Sequence, residues 1–103
     1  MLVVAGTITF NPTHQDQMAE AAQVVVATTR SEAGCISYEF FADLTTAGRF
    51  HLFEEWEDEA SLLAHLDTVH LATFYKVMQA SGLETRDITR YYVASHGPNR
   101  PGA

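Results

Sequence analysis

The succession of apolar patterns along the chain predicts an α+β fold, a ferredoxin-like βαββαβ unit built on a four-stranded antiparallel sheet. Three observations carry that prediction. Four segments alternate in side-chain character with period two, two longer segments repeat apolar residues at helical spacing, and turn signals separate them in the order strand, helix, strand, strand, helix, strand.

Leu2 to Phe10 is the first strand, with Leu2, Val4, Ile8 and Phe10 alternating against Val3, Ala5, Thr7 and Thr9 and a β-branched content suited to a pleated surface. Asn11-Pro12 then opens a helix, since asparagine caps free N–H groups and proline is tolerated in the first turn. The helix is expected from about Pro12 to Ser31, burying Met18, Ala22, Val25 and Thr29, and Ala33-Gly34 ends it. Cys35 to Asp43 is the second strand, placing Ile36, Tyr38, Phe40 and Ala42 on one face. After the turn at 44–48, Arg49 to Glu57 is the third, with Phe50, Leu52, Glu54 and Trp56 sharing a face. Asp58 caps the second helix, whose stripe runs through Leu62, Leu66 and Val69, breaks near Asp67-Thr68 where Thr68 can cap anew, and continues through Leu71, Phe74, Tyr75 and Met78 to Gly82. Glu84 to Ala94 is the last strand. Residues 1–95 therefore read as one domain and 96–103, rich in proline and glycine, as a flexible tail.

At 103 residues the chain accommodates one domain, which excludes a two-domain enzyme. A net charge of −7 opposes binding to phosphate backbones and anionic lipid, so neither nucleic acid nor a membrane is an expected partner. No run approaches the roughly 20 apolar residues of a membrane span. The single cysteine, Cys35, forms no internal disulfide and points to no oxidising compartment, and a cytoplasmic location is expected. Helices on one side of the sheet should leave the other side polar, yet Phe41 and Phe53 lie there. A second copy of the chain is the expected cover, giving a homodimer with sheets packed face to face.

Chemistry concentrates in a few side chains. His65 falls beside the Leu62–Leu66 stripe and points toward the sheet. There it either holds a structural hydrogen bond or, with an ordinary pKa of about 6.5, moves a proton near neutral pH. His70, five residues on, lies about 140° around a continuous helix and leaves that face unless the break at Asp67 reorients it. Helix-borne metal histidines use a spacing of four, so no His65/His70 metal site is expected. Trp56 is a core residue or a pocket wall, and Glu54 on its face can line a pocket or orient a histidine. Tyr38 either reaches a pocket or satisfies a local backbone group. Arg90 suits an anionic substrate or an ion pair across a dimer. There is no glycine-rich nucleotide loop, phosphate loop or zinc spacing, so no metal and no cofactor is expected.

The segment Glu32-Ala33-Gly34-Cys35-Ile36-Ser37-Tyr38, followed by Glu55-Trp56-Glu57, His65, Thr68-Val69-His70 and Phe74, resembles the antibiotic biosynthesis monooxygenase domain family over roughly residues 1 to 94. The resemblance implies a dimeric α+β barrel and a cofactor-independent monooxygenase that oxidises a small electron-rich aromatic, a quinol or hydroxylated polycycle, with molecular oxygen. It implies His65 as the catalytic proton acceptor, or else a pocket tyrosine, with Trp56 and Tyr38 holding the ring; Glu54, His70, Phe74 and Arg90 join them as candidate substrate-binding residues. The chain departs from the aromatic-polyketide oxidising relatives at Leu52 and Leu62, where those carry Asn and Tyr. It departs from the haem-degrading ones at Gly6 and Thr7 and at Phe74 and Tyr75, where those carry Asn and His. An isomerase or tautomerase using His65 as proton shuttle, and a non-catalytic dimeric domain binding an aromatic metabolite, are the alternatives.

Overall fold

The computed structural model describes residues 1–100. The expected tail at 96–103 runs into residues 101–103, which lie outside the described residues. The observed strands are β1 (Leu2–Phe10), β2 (Cys35–Ala42), β3 (Arg49–Trp56) and β4 (Leu83–Tyr92). Three α-helices accompany them: α1 (Gln15–Thr29), α2 (Glu59–Leu66) and α3 (Val69–Ala80). All strand pairs are antiparallel, in the spatial order β2-β3-β1-β4, so the βαββαβ expectation holds with its second helix in two pieces.

Local chemistry accounts for the boundaries. Asn11 accepts a hydrogen bond from the Thr13 amide at 3.1 Å, but Pro12 to His14 form a 3₁₀ turn, so the α-helix begins at Gln15 rather than Pro12. Met18, Ala22, Val25 and Thr29 are its buried residues, as their spacing requires. Asp58 accepts from the Ser61 amide at 2.8 Å and Thr68 from the Leu71 amide at 3.4 Å, each satisfying a donor that a helix start leaves free.

Two expectations need correction. Ile36 does not share the Tyr38 face: a bulge sets Cys35 opposite Trp56 and Ser37 opposite Glu55, so Ile36 is the extra residue and stands half-exposed. Val69 does not continue the buried stripe, because the break at Asp67-Thr68 restarts the helix and leaves Val69 as an exposed first residue.

The core lies between the helices and one face of the sheet, where Leu2, Val4, Ile8, Phe10, Phe50, Leu52 and Trp56 meet Met18, Val25, Leu62, Leu71 and Phe74. Strand pairing fixes one row across that face: Tyr38 is opposite Glu54, Glu54 opposite Val4, and Val4 opposite Arg90. Three residues singled out for chemistry thus share a line. The other face carries Phe41, Phe53 and Tyr91, each at least 40% exposed.

At Gly6 the strands β1 and β4 are so close that a Cβ would run into the backbone of Asp87 and Ile88. A Gly6→Ala variant must push β4 away, and is expected to lose roughly 1–3 kcal/mol in urea unfolding, the range for overpacked sites, with an unchanged dependence on urea concentration.

Candidate active site

A cavity of about 220 Å³ opens between the helix-facing side of the sheet and helices α2 and α3. Its polar lining comes from Tyr38, Glu54, His65, Tyr75, Arg86 and Arg90, and Phe74 is among its apolar walls.

His65 is buried at the end of α2, with its ring 4.8 Å from that of Trp56 and 5.3 Å from that of Tyr38. Its Nδ1 lies 2.9 Å from Oε2 of Glu32, in the turn after α1, and Nε2 of His70 lies 2.7 Å from the same oxygen. A carboxylate only accepts, so the protons sit on Nδ1 of His65 and Nε2 of His70. That tautomer leaves Nε2 of His65 as a lone-pair base on a residue that lines the cavity. Burial lowers the pKa of His65, partly opposed by its hydrogen bond to Glu32 and by that carboxylate's charge, so the free imidazole is favoured.

Glu54 is buried beside it. Its Oε1 accepts a 2.9 Å hydrogen bond from Nε1 of Trp56. Burial pushes the Glu54 carboxyl up to about 7, the Trp56 bond opposes that rise, and the Glu32 charge adds to it. Tyr38 is driven well above the usual phenol range, first by burial and then by the neighbouring Glu54 charge. It stays protonated and serves as a donor or a surface, not a base.

The sequence-predicted residues therefore separate into three positions. Tyr38, Glu54, His65, Phe74 and Arg90 line the cavity. Trp56 is fully buried behind it and supports Glu54 and His65 from the back. His70 faces Glu32 and an apolar groove along α1 and α3 rather than the cavity. The 140° offset between His65 and His70 is not the observed relation, since the restart at Thr68 brings the two rings to 6.2 Å. The Thr68 hydroxyl holds that corner by donating to the His65 carbonyl at 2.8 Å.

Glu32, His65 and His70 present three potential metal-ligand atoms within 4.8 Å of one another. The donor types suit a two-histidine, one-carboxylate site. The separations of 2.7 and 2.9 Å are hydrogen-bond distances, and two imidazole N–H groups donating to one carboxylate oxygen account for the cluster. Two site residues escaped the sequence reading. Glu32 sat in a helix-terminating turn with no periodicity to mark it, whereas Arg86, an even number of residues before Arg90, could have been found from strand alternation.

Fold and site together define a small α+β domain whose cavity carries a carboxylate-oriented histidine. The chain belongs to the antibiotic biosynthesis monooxygenase family, whose model matches residues 1–77. It is 37% identical over 73 residues to "Uncharacterized protein sll1783" of Synechocystis, a match covering 71% of this chain and half of that protein. It is 30% identical over 74 residues to "Putative monooxygenase YcnE" of Bacillus subtilis, covering 72% of this chain and 78% of that one. Among solved structures, a Deinococcus radiodurans protein described as a "putative antibiotic biosynthesis monooxygenase" superposes with a TM-score of 0.90 at 21% identity, covering 97% of this chain and 99% of that one. Protein PA3566 of Pseudomonas aeruginosa superposes at 0.82 with 30% identity, covering 91% and 94%. No helix among the described residues is long and apolar enough to cross a membrane.

The Glu54 carboxyl titrates near 7 in the folded chain against 4.5 as a free group, so between those values the folded state holds more protons. Stability should fall as pH rises across that window. Glu54→Gln keeps an acceptor for Trp56 and is expected to exceed the parent by on the order of 3 kcal/mol at about pH 8, with the advantage vanishing below about pH 4.5, as read by urea titration at each pH.

Proposed function

We propose that the chain is a cofactor-independent monooxygenase acting on a small quinol. The observation that carries this reading is His65, its Nδ1 fixed by Glu32 on the wall of a largely apolar cavity. A quinol needs one proton removed to become an electron donor, and an oriented neutral imidazole does that near neutral pH. The quinolate passes an electron to molecular oxygen; the resulting radical pair joins at a ring carbon, and the peroxide collapses with loss of water. One oxygen atom remains on the ring as a hydroxyquinone and the other leaves as water. All four electrons come from the substrate, so the balance requires no other reductant. The protein's share is to orient the ring, accept the proton and exclude water.

A cavity of about 220 Å³ lies below the common range of roughly 300–1,000 Å³ for small-molecule sites, which favours a one- or two-ring substrate over a larger polycycle. Tyr38 and Phe74 supply the walls, Glu54 a hydrogen-bond partner for a ring hydroxyl, and Trp56 the rigid backing. The isomerase alternative draws on one specific feature, the presence of two proton-handling groups, His65 and Glu54, at one cavity.

Transfer of the protein with a quinol panel from anaerobic to aerated buffer tests these readings. Uptake of one oxygen molecule per quinol is expected; solvent proton exchange into a carbonyl substrate without uptake would establish the isomerase instead, and binding without either would leave a binding module. His65→Ala should lower turnover by about 10²–10⁴-fold. Glu32→Gln should lower it less, and should move the pH profile by removing the charge that holds the imidazole's proton.

The exposed face bearing Phe41, Phe53 and Tyr91 is proposed to close against the same face of a second copy. Sedimentation is expected to give twice the chain mass, and Phe53→Glu, which sets two carboxylates in an apolar contact, should give monomers.

A further inference from the structure

The chain has six lysines and arginines against thirteen acids, and two of the six line the cavity. Arg86 and Arg90 stand on the helix-facing side of β4, on either side of Ile88 and opposite Ile8 and Val4 of β1. Arg86 makes no ion pair among the described residues, and Arg90 makes one at the outer limit of ion-pair distance. The Arg86 guanidinium packs 4.8 Å above the Tyr75 ring and donates to its hydroxyl at 3.3 Å, with no carboxylate within ion-pair distance among the described residues. Arg90 comes no nearer than 3.9 Å to Glu59, a half-exposed acid, and donates to the Tyr92 hydroxyl at 3.5 Å. Both arginines border a largely apolar space.

The acid inside that space does not neutralise them. Glu54 and Arg90 share a row, but Val4 of the intervening strand separates them by two strand spacings, about 9–10 Å. The cavity is therefore polarised, with Glu54 and His65 at one end and the arginine pair at the β4 edge. Resting on the reading of this cavity as a quinol site, we propose that its substrate is an aromatic carboxylate, with the carboxylate held by Arg86 and Arg90 and the ring hydroxyl presented to His65. The guanidinium fork matches a carboxylate in shape and charge. A monoanion is preferred to a dianionic phosphate ester because Glu54, Glu59 and the chain's net charge of −7 oppose a second negative charge.

Calorimetry under nitrogen separates binding from oxidation. The probes are 2,5-dihydroxybenzoate against hydroquinone, and hexanoate against hexanol, on the parent protein, on Arg86→Met/Arg90→Met and on Arg86→Lys/Arg90→Lys. The parent is expected to bind 2,5-dihydroxybenzoate at least about tenfold more tightly than hydroquinone, the methionine pair to abolish that preference while still binding hydroquinone, and the lysine pair to restore part of it. Equal binding of the two rings by the parent, or a preference that survives the methionine pair, overturns the carboxylate subsite and leaves the quinol reading standing. An arginine-dependent preference for hexanoate over hexanol without binding of either ring keeps the subsite and removes the quinol reading. Absence of any acid-over-neutral preference in both probe pairs overturns the subsite.

Discussion

One oxygen atom of Glu32 accepts from both His65 and His70, and through it the turn after α1 is tied to the end of α2 and the start of α3. The constraint is strict because His65 is buried: its Nδ1–H needs a partner, and a buried imidazole without one would cost more than the hydrogen bond gains. Supplying that partner from a separate segment fixes the ring plane against Trp56 and Tyr38. It also fixes which nitrogen carries the proton, and thus which one is left as the base. The chemistry of the cavity therefore depends on a residue that does not line it.

Behind His65, the Trp56 indole performs a second positioning task. Its N–H reaches Glu54 while its face meets the imidazole, so one rigid side chain sets the separation of the two proton-handling groups. The Glu54 carboxyl pays for this place with desolvation, which one hydrogen bond offsets only in part, and its raised pKa records the imbalance.

The fold was legible because its determinants are periodic. The Met18, Ala22, Val25 and Thr29 stripe and the alternation of Phe50, Leu52, Glu54 and Trp56 are repeated signals, each residue reinforcing the next. The features that escaped were single events. The bulge at Ile36 is one inserted residue, invisible to alternation, yet it changes which side chains of the early β2 strand face the helices. Within the site, His65 and Trp56 stood out by residue type and by the family resemblance. Glu32 opened the segment that carried the resemblance but drew no role, because its partners lie 33 and 38 residues away and no local pattern encodes that distance.

The restart of the helix at Thr68 shows how a local signal can carry tertiary consequence. Thr68 was identifiable as a cap, but a cap states only where a helix begins, not the direction in which it leaves. Here its hydroxyl donates to the His65 carbonyl and accepts from the Leu71 amide, closing the corner from both sides. A continuous helix would have carried His70 away from Glu32. The broken one returns it to the same oxygen, and Leu71, Phe74 and Met78 then descend over the sheet as the roof of the cavity. One interruption thus both brings His70 to the carboxylate that orients the buried histidine and angles α3 to enclose the space that the histidine faces.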